Sequence, residues 1–108
     1  MTRPACDGTW IVLVGSPTDP GEVQRVLDAY SGAVYMDNTA TDCTSITKAS
    51  ESGAPLFTVY LAQHFGSKEA ACANRPELAP GFPSNQTPYV KQLSNEVGAK
   101  DAEYFRCS

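Results

Sequence analysis

The sequence predicts a small α+β domain with the element order strand, helix, strand, strand, helix, strand. Three observations lead there. Short apolar segments at Trp10–Val14, Ala33–Asp37 and Leu56–Leu61 have the length of strands and are bounded by Gly, Pro and Ser. Two other stretches open with capping residues and continue at helical spacing. A chain of 108 residues, 42% hydrophobic and 19% charged, is sized and composed for one globular domain.

The first strand, Trp10-Ile-Val-Leu-Val-Gly-Ser16, is apolar on both faces, with Trp10, Val12 and Val14 on one and Ile11 and Leu13 on the other. That pattern predicts a central strand covered on both sides. Asp19 is placed to cap a helix, Pro20 suits its first position and Glu22 completes a capping box. Val23, Val26, Leu27 and Tyr30 follow at helical spacing, and Gly32 supplies the stop. Residues 33–37 alternate as a short strand. Asn38 to Pro55 is rich in Ser, Thr, Asp and Gly and reads as a long loop containing Cys43. In the next strand Phe57, Val59 and Leu61 share one face, Thr58 and Tyr60 the other. Ser67 caps a short Ala-rich helix, Lys68 to about Asn74, that carries Cys72 and is limited by Pro76. Residues 76–88, with four prolines, form a loop. From Pro88 the residues allow two readings: a fourth strand at Tyr89–Leu93, or a helix with Tyr89, Leu93 and Val97 on one face and Gly98 as its stop. Glu103–Cys107 is a strand or extended tail on either.

Eight Lys and Arg against twelve Asp and Glu leave a net charge of −4, with no basic stripe to neutralise phosphates, so nucleic acid is not an expected partner. The longest apolar run, Trp10–Val14, is too short to span a bilayer, and Met1 opens no signal-peptide pattern. The chain is therefore expected to be an excised ectodomain or mature segment, meeting a membrane only through a segment outside it. Cys6, Cys43, Cys72 and Cys107 are widely spaced and contain no C-x-x-C pair, which points to two disulfides rather than a zinc or thioredoxin-type site. Three connectivities are open. Two bridges imply an oxidising, extracytoplasmic compartment.

No catalytic group, metal site or cofactor is expected. His64 is the single histidine, and Ala62-Gln63-His64-Phe65-Gly66-Ser67 places no nucleophile and orienting carboxylate beside it. Asp37, Asp42, Glu96, Asp101 and Glu103 lack calcium-loop spacing, and Gly15 and Gly21 lack the continuation of a phosphate loop. Asn85-Gln86-Thr87 has the form of a glycosylation sequon and marks an exposed loop.

The element order is that of the ferredoxin-like βαββαβ arrangement, a four-stranded antiparallel sheet with two helices on one face. Within it, Trp10-Ile-Val-Leu-Val-Gly-Ser16 resembles the opening strand of SPOR domains, and Val59-Tyr-Leu-Ala-Gln-His-Phe65 followed by Gly66-Ser-Lys-Glu-Ala-Ala-Cys72 resembles their third strand, turn and second helix. Tyr89-Val-Lys-Gln-Leu93 is similar to the Tyr-Val-Lys-type last strand of the SPOR-like extracytoplasmic C-terminal domains of actinobacterial membrane Ser/Thr protein kinases and related envelope proteins. That resemblance favours the strand reading there. It departs from SPOR domains at Leu13, where a Gln is common, and at Gln63-His64, where a Gly is usual.

The resemblance implies one SPOR-like domain over residues 1–108, with a lead-in at 1–9 and a disulfide-anchored tail at 95–108. Its fold makes the first and last strands neighbours, which implies the pairing Cys6–Cys107, leaving Cys43–Cys72. Bridges closing loops of about 100 and about 30 residues would each stabilise by roughly 3.5–4.7 kcal/mol through loop-closure entropy. SPOR domains bind peptidoglycan glycan strands stripped of stem peptides through a groove over the sheet face.

With Val12, Val14, Val34, Met36, Val59 and Leu61 assigned to the helix side, Ile11, Leu13, Tyr35, Thr58 and Tyr60 are expected to face away, joined by Lys91 in one register of the fourth strand. An open aromatic and aliphatic face suits sugar rings or a second protein. Leu13, Tyr35, Thr58, Tyr60 and Lys91 are thus the expected binding residues. The alternative fate of that face is cover by the tail, Ala102-Glu103-Tyr104-Phe105. The expected function is a non-catalytic extracytoplasmic sensor or ligand-binding module of a membrane Ser/Thr kinase or cell-envelope protein, with a cell-wall glycan fragment or another envelope protein as partner. The alternatives are a structural interaction module, monomeric or homodimeric, and a small secreted hydrolase.

Overall fold

The structure, a computed structural model, describes residues 1–96 and Cys107. Six elements follow in order: β1 (Trp10–Gly15), α1 (Pro20–Ala29), β2 (Ala33–Asp37), β3 (Phe57–Leu61), α2 (Lys68–Ala73) and β4 (Tyr89–Gln92). Short 3-10 turns lie at Asn38–Ala40 and Ser84–Gln86. The helix starts are built as the capping residues predict. The Asp19 carboxylate accepts the Glu22 N–H at 3.2 Å, and the Ser67 hydroxyl accepts the Ala70 N–H at 3.1 Å. Gly32, at φ +79°, takes the left-handed turn that sends the chain from α1 into β2.

The four strands form one antiparallel sheet in the order β2-β3-β1-β4. Residues 89–92 are therefore a strand, with Trp10 to Leu13 opposite Gln92 to Tyr89. Each helix lies in a crossover that skips one strand. Both pack on the same face of β1: Val14 meets Val23, Val26 and Tyr30 of the α1 side, while Trp10 and Val12 meet Ala71 of α2 and Val90. Gly15 ends β1 where it must come close to α1, since a Cβ there would sit 3.0 Å from a methyl of Val26.

The other face of the sheet is covered too. Ile11, Leu13, Met36, Tyr60 and Leu93 are buried beneath Cys43 and Ile46 of the long loop, with Cys6 packed against the same cluster. The lead-in crosses this face. Gly8 N–H donates to the Leu93 carbonyl (2.9 Å) beyond one edge strand, and Thr2 N–H donates to the Tyr35 carbonyl (2.8 Å) of the other. This path corrects the expected disulfide pairing. The bridges are Cys6–Cys43 and Cys72–Cys107. The lead-in passes Cys43 on its way across the sheet, within bridging distance of it. The expectation of a covering tail at residues 102–105 lies outside the described residues.

The cover is polar in composition and internally satisfied. Buried Asn38 accepts the Thr58 hydroxyl (2.6 Å) and donates to the Thr47 carbonyl (2.7 Å). Ser45 donates its hydroxyl to the Gln92 carbonyl (2.6 Å) and accepts the Ser94 N–H (3.1 Å). Among the described residues no buried side-chain nitrogen or oxygen lacks a partner.

Candidate functional site

The face expected to be open is a second core. Leu13, Thr58 and Tyr60 are almost fully buried, and Lys91 is 8% exposed. Burial pushes the Lys91 ammonium below its ordinary value and the Tyr60 phenol above its own, the latter moderated by its hydrogen bond with the Thr2 hydroxyl. Tyr35 lies on the opposite side, packed with the helix-facing residues and 6.3 Å from the Phe57 ring, whereas Val34 and Met36 meet the covered face. Since strand side chains alternate, assigning β2 one residue out of register moved all three. The five expected residues therefore do not form an open platform.

His64 stands in a short chain of polar groups. The Thr9 hydroxyl donates to the Asp7 carboxylate at 2.6 Å, which leaves the His64 Nδ1, 2.9 Å away, as donor to the same hydroxyl. These bonds from Thr9 hold the Asp7 carboxyl below its usual range. The hydroxyl lies between carboxylate and imidazole, whereas nucleophilic catalysis needs the imidazole in the middle. Among the described residues no group of three or more His, Cys, Asp and Glu side chains is placed to hold a metal ion.

A polar concavity lies elsewhere, at the end of the sheet where β1 leads into α1. It is a groove of about 240 Å³. It is lined by Gly15, Ser16 and Pro17 at the end of β1, by Glu22 and Arg25 of α1, and by Asn85, Gln86 and Tyr89. Tyr89 opens β4 with its residue 37% exposed, and its hydroxyl is 3.4 Å from that of Ser16. Arg25 is engaged by Glu22 in an ion pair at 3.0 Å. An aromatic side chain is thus combined with the neutral amides of Asn85 and Gln86 and the Ser16 hydroxyl. That set can stack on an apolar ring face while hydrogen-bonding hydroxyl or acetamido groups.

Sequence reasoning missed this groove because its walls come from three segments far apart in the chain. The one local signal was the Asn85-Gln86-Thr87 triplet, which the structure places on an exposed turn. Comparison with protein-family models, with curated protein sequences and with solved structures gave no match to this chain.

Proposed function

We propose that this chain is a non-catalytic, extracytoplasmic ligand-binding module, SPOR-like and ferredoxin-like in topology, from a membrane Ser/Thr kinase or cell-envelope protein. Its ligand is a peptidoglycan-derived saccharide held in the β1–α1 groove rather than on the sheet face. The observation that carries the reading is Tyr89, a large exposed aromatic residue lining a groove with neutral amides and hydroxyls. The strand order β2-β3-β1-β4, with one helix in each crossover, supports the ferredoxin-like topology. Two disulfides in so small a domain support the oxidising compartment.

The test is a titration of the oxidised protein with N-acetylglucosamine oligomers, followed by amide chemical shifts. Shifts should concentrate at Ser16, Asn85, Gln86 and Tyr89, and Tyr89→Ala should weaken binding about tenfold. No shift at these amides at high oligomer concentration refutes the reading. A second reading, a protein-interaction module, draws on an apolar groove of about 160 Å³ between Val23 and Leu27 of α1 and the Tyr35–Phe57 ring pair. Light scattering that gives a concentration-independent monomer counts against its homodimeric form.

A further inference from the structure

The proline-rich segment that follows α2 has one 3-10 turn as its regular structure, yet it supplies a wall of the groove. α1 holds it. Arg25, with its side chain 45% exposed, sets its guanidinium 4.2 Å from the centroid of the Phe82 ring. One terminal nitrogen donates to the Gly81 carbonyl at 3.0 Å, and the other donates to the Glu22 carboxylate at 3.0 Å. Tyr30, at the C-terminal cap of the same helix, accepts the Ala79 N–H at 2.9 Å and tilts its ring against Phe82, 6.0 Å between centroids. Past Phe82 the chain enters the turn at Ser84–Gln86, closed by the Gln86 N–H on the Pro83 carbonyl at 2.9 Å. Fixing Phe82 therefore constrains Asn85 and Gln86, three and four residues further on.

We propose that Arg25 is a positioning residue of the groove: through Gly81 and Phe82 it holds the 79–87 segment so that the Asn85 and Gln86 amides share the groove with Tyr89. A planar guanidinium can make all three contacts together, stacking with its face and donating from two edges. A lysine ammonium has no such face and fork. The claim rests on the saccharide reading of the groove only in its last step, because the placement of the segment is measurable without ligand.

The experiment compares amide hydrogen exchange in the oxidised wild type, Arg25→Met, Arg25→Lys and Phe82→Leu. In Arg25→Met, exchange at Phe82, Gln86 and Thr87 should accelerate about tenfold while Val26 and the amides of β1 stay unchanged. Phe82→Leu should reproduce that pattern, and Arg25→Lys should recover part of the protection. N-acetylglucosamine oligomers should then bind Arg25→Met more weakly by a similar factor. Unchanged exchange in 79–87 overturns the proposal, as does an acceleration spread equally over α1 and the sheet. A loosened segment with undiminished oligomer affinity also overturns it. Wild type that binds no oligomer, beside a segment that responds to Arg25, refutes the saccharide reading and leaves the positioning of the segment standing.

Discussion

Removing the bridge that fastens the cover, in Cys6→Ala/Cys43→Ala, tests whether the second face is held shut by it. The bridge spans 37 residues of sequence. Loop-closure entropy for that length gives about 3.8 kcal/mol of stabilisation at 25 °C. Cys43 is fully buried among Ile11, Leu13, Met36 and Tyr60, so truncating its sulfur adds about 1 kcal/mol for the space left behind. The Cys72–Cys107 bridge spans 35 residues, nearly the same entropic contribution, but Cys72 and Cys107 are only half-buried. Cys72→Ala/Cys107→Ala should therefore lose about 3.8 kcal/mol, a fall in Tm of roughly 15 °C, and the Cys6/Cys43 pair a few degrees more. Calorimetry on the two variants gives the ordering. Binding of an apolar dye gives the location, since the first variant loosens the lead-in and loop that cover Ile11, Leu13, Met36 and Tyr60 and should bind more dye than the second. A Tm for Cys6→Ala/Cys43→Ala within about 3 °C of wild type refutes the staple. Equal dye binding by the two variants refutes the assignment of the cover.

Tyr60→Phe removes the hydrogen bond with the Thr2 hydroxyl and should cost about 1 kcal/mol, measured by urea unfolding. Burial raises the Tyr60 phenol above its ordinary value, so the folded state keeps that proton after the unfolded chain would lose it. Its contribution is full below about pH 10 and is lost as pH rises through the folded value. In an ultraviolet titration one phenol ionising above the ordinary tyrosine value should vanish in Tyr60→Phe; an unchanged curve contradicts the assignment. Asn38→Ala leaves the Thr58 hydroxyl and the Thr47 carbonyl without their partner and should cost about 2–4 kcal/mol. Asn38→Ala/Thr58→Val should recover part of that loss, and a double variant less stable than the single would exclude hydroxyl desolvation as the cause.

Local chemistry made the elements legible. Asp19-Pro20 and Ser67 announced their helices because a cap needs only three or four residues to be recognised. The face of β2 was not legible. Ala33, Val34, Tyr35 and Met36 are all apolar or aromatic, so either alternation satisfies the pattern, and only the packing of Tyr35 with Phe57 decides. The cover was misjudged for a different reason. Its Ser, Thr, Asp and Gly content reads as loop, yet Asn38 and Ser45 are buried because each finds polar partners there, Asn38 the Thr58 hydroxyl and the Thr47 carbonyl, Ser45 the Gln92 carbonyl and the Ser94 N–H. The disulfide partners depend on where an irregular lead-in travels, and no strand periodicity encodes that path. The groove was illegible for lack of contiguity, since Ser16, Arg25 and Tyr89 meet only after the sheet has formed.

The two bridges follow one another along the chain, 6 to 43 and then 72 to 107, without nesting or crossing. This has a consequence for how the domain would mature if it emerged from its N-terminus across a membrane. The first bridge can close once residue 43 is out, before β3, α2 or β4 has left the exit site. A partner of Cys6 at the far end of the chain would instead have kept a free thiol waiting for the whole domain. Consecutive pairing separates oxidation into two short-range events, each complete within its own stretch, and the N-terminal half carries its clasp before the sheet it will cover exists.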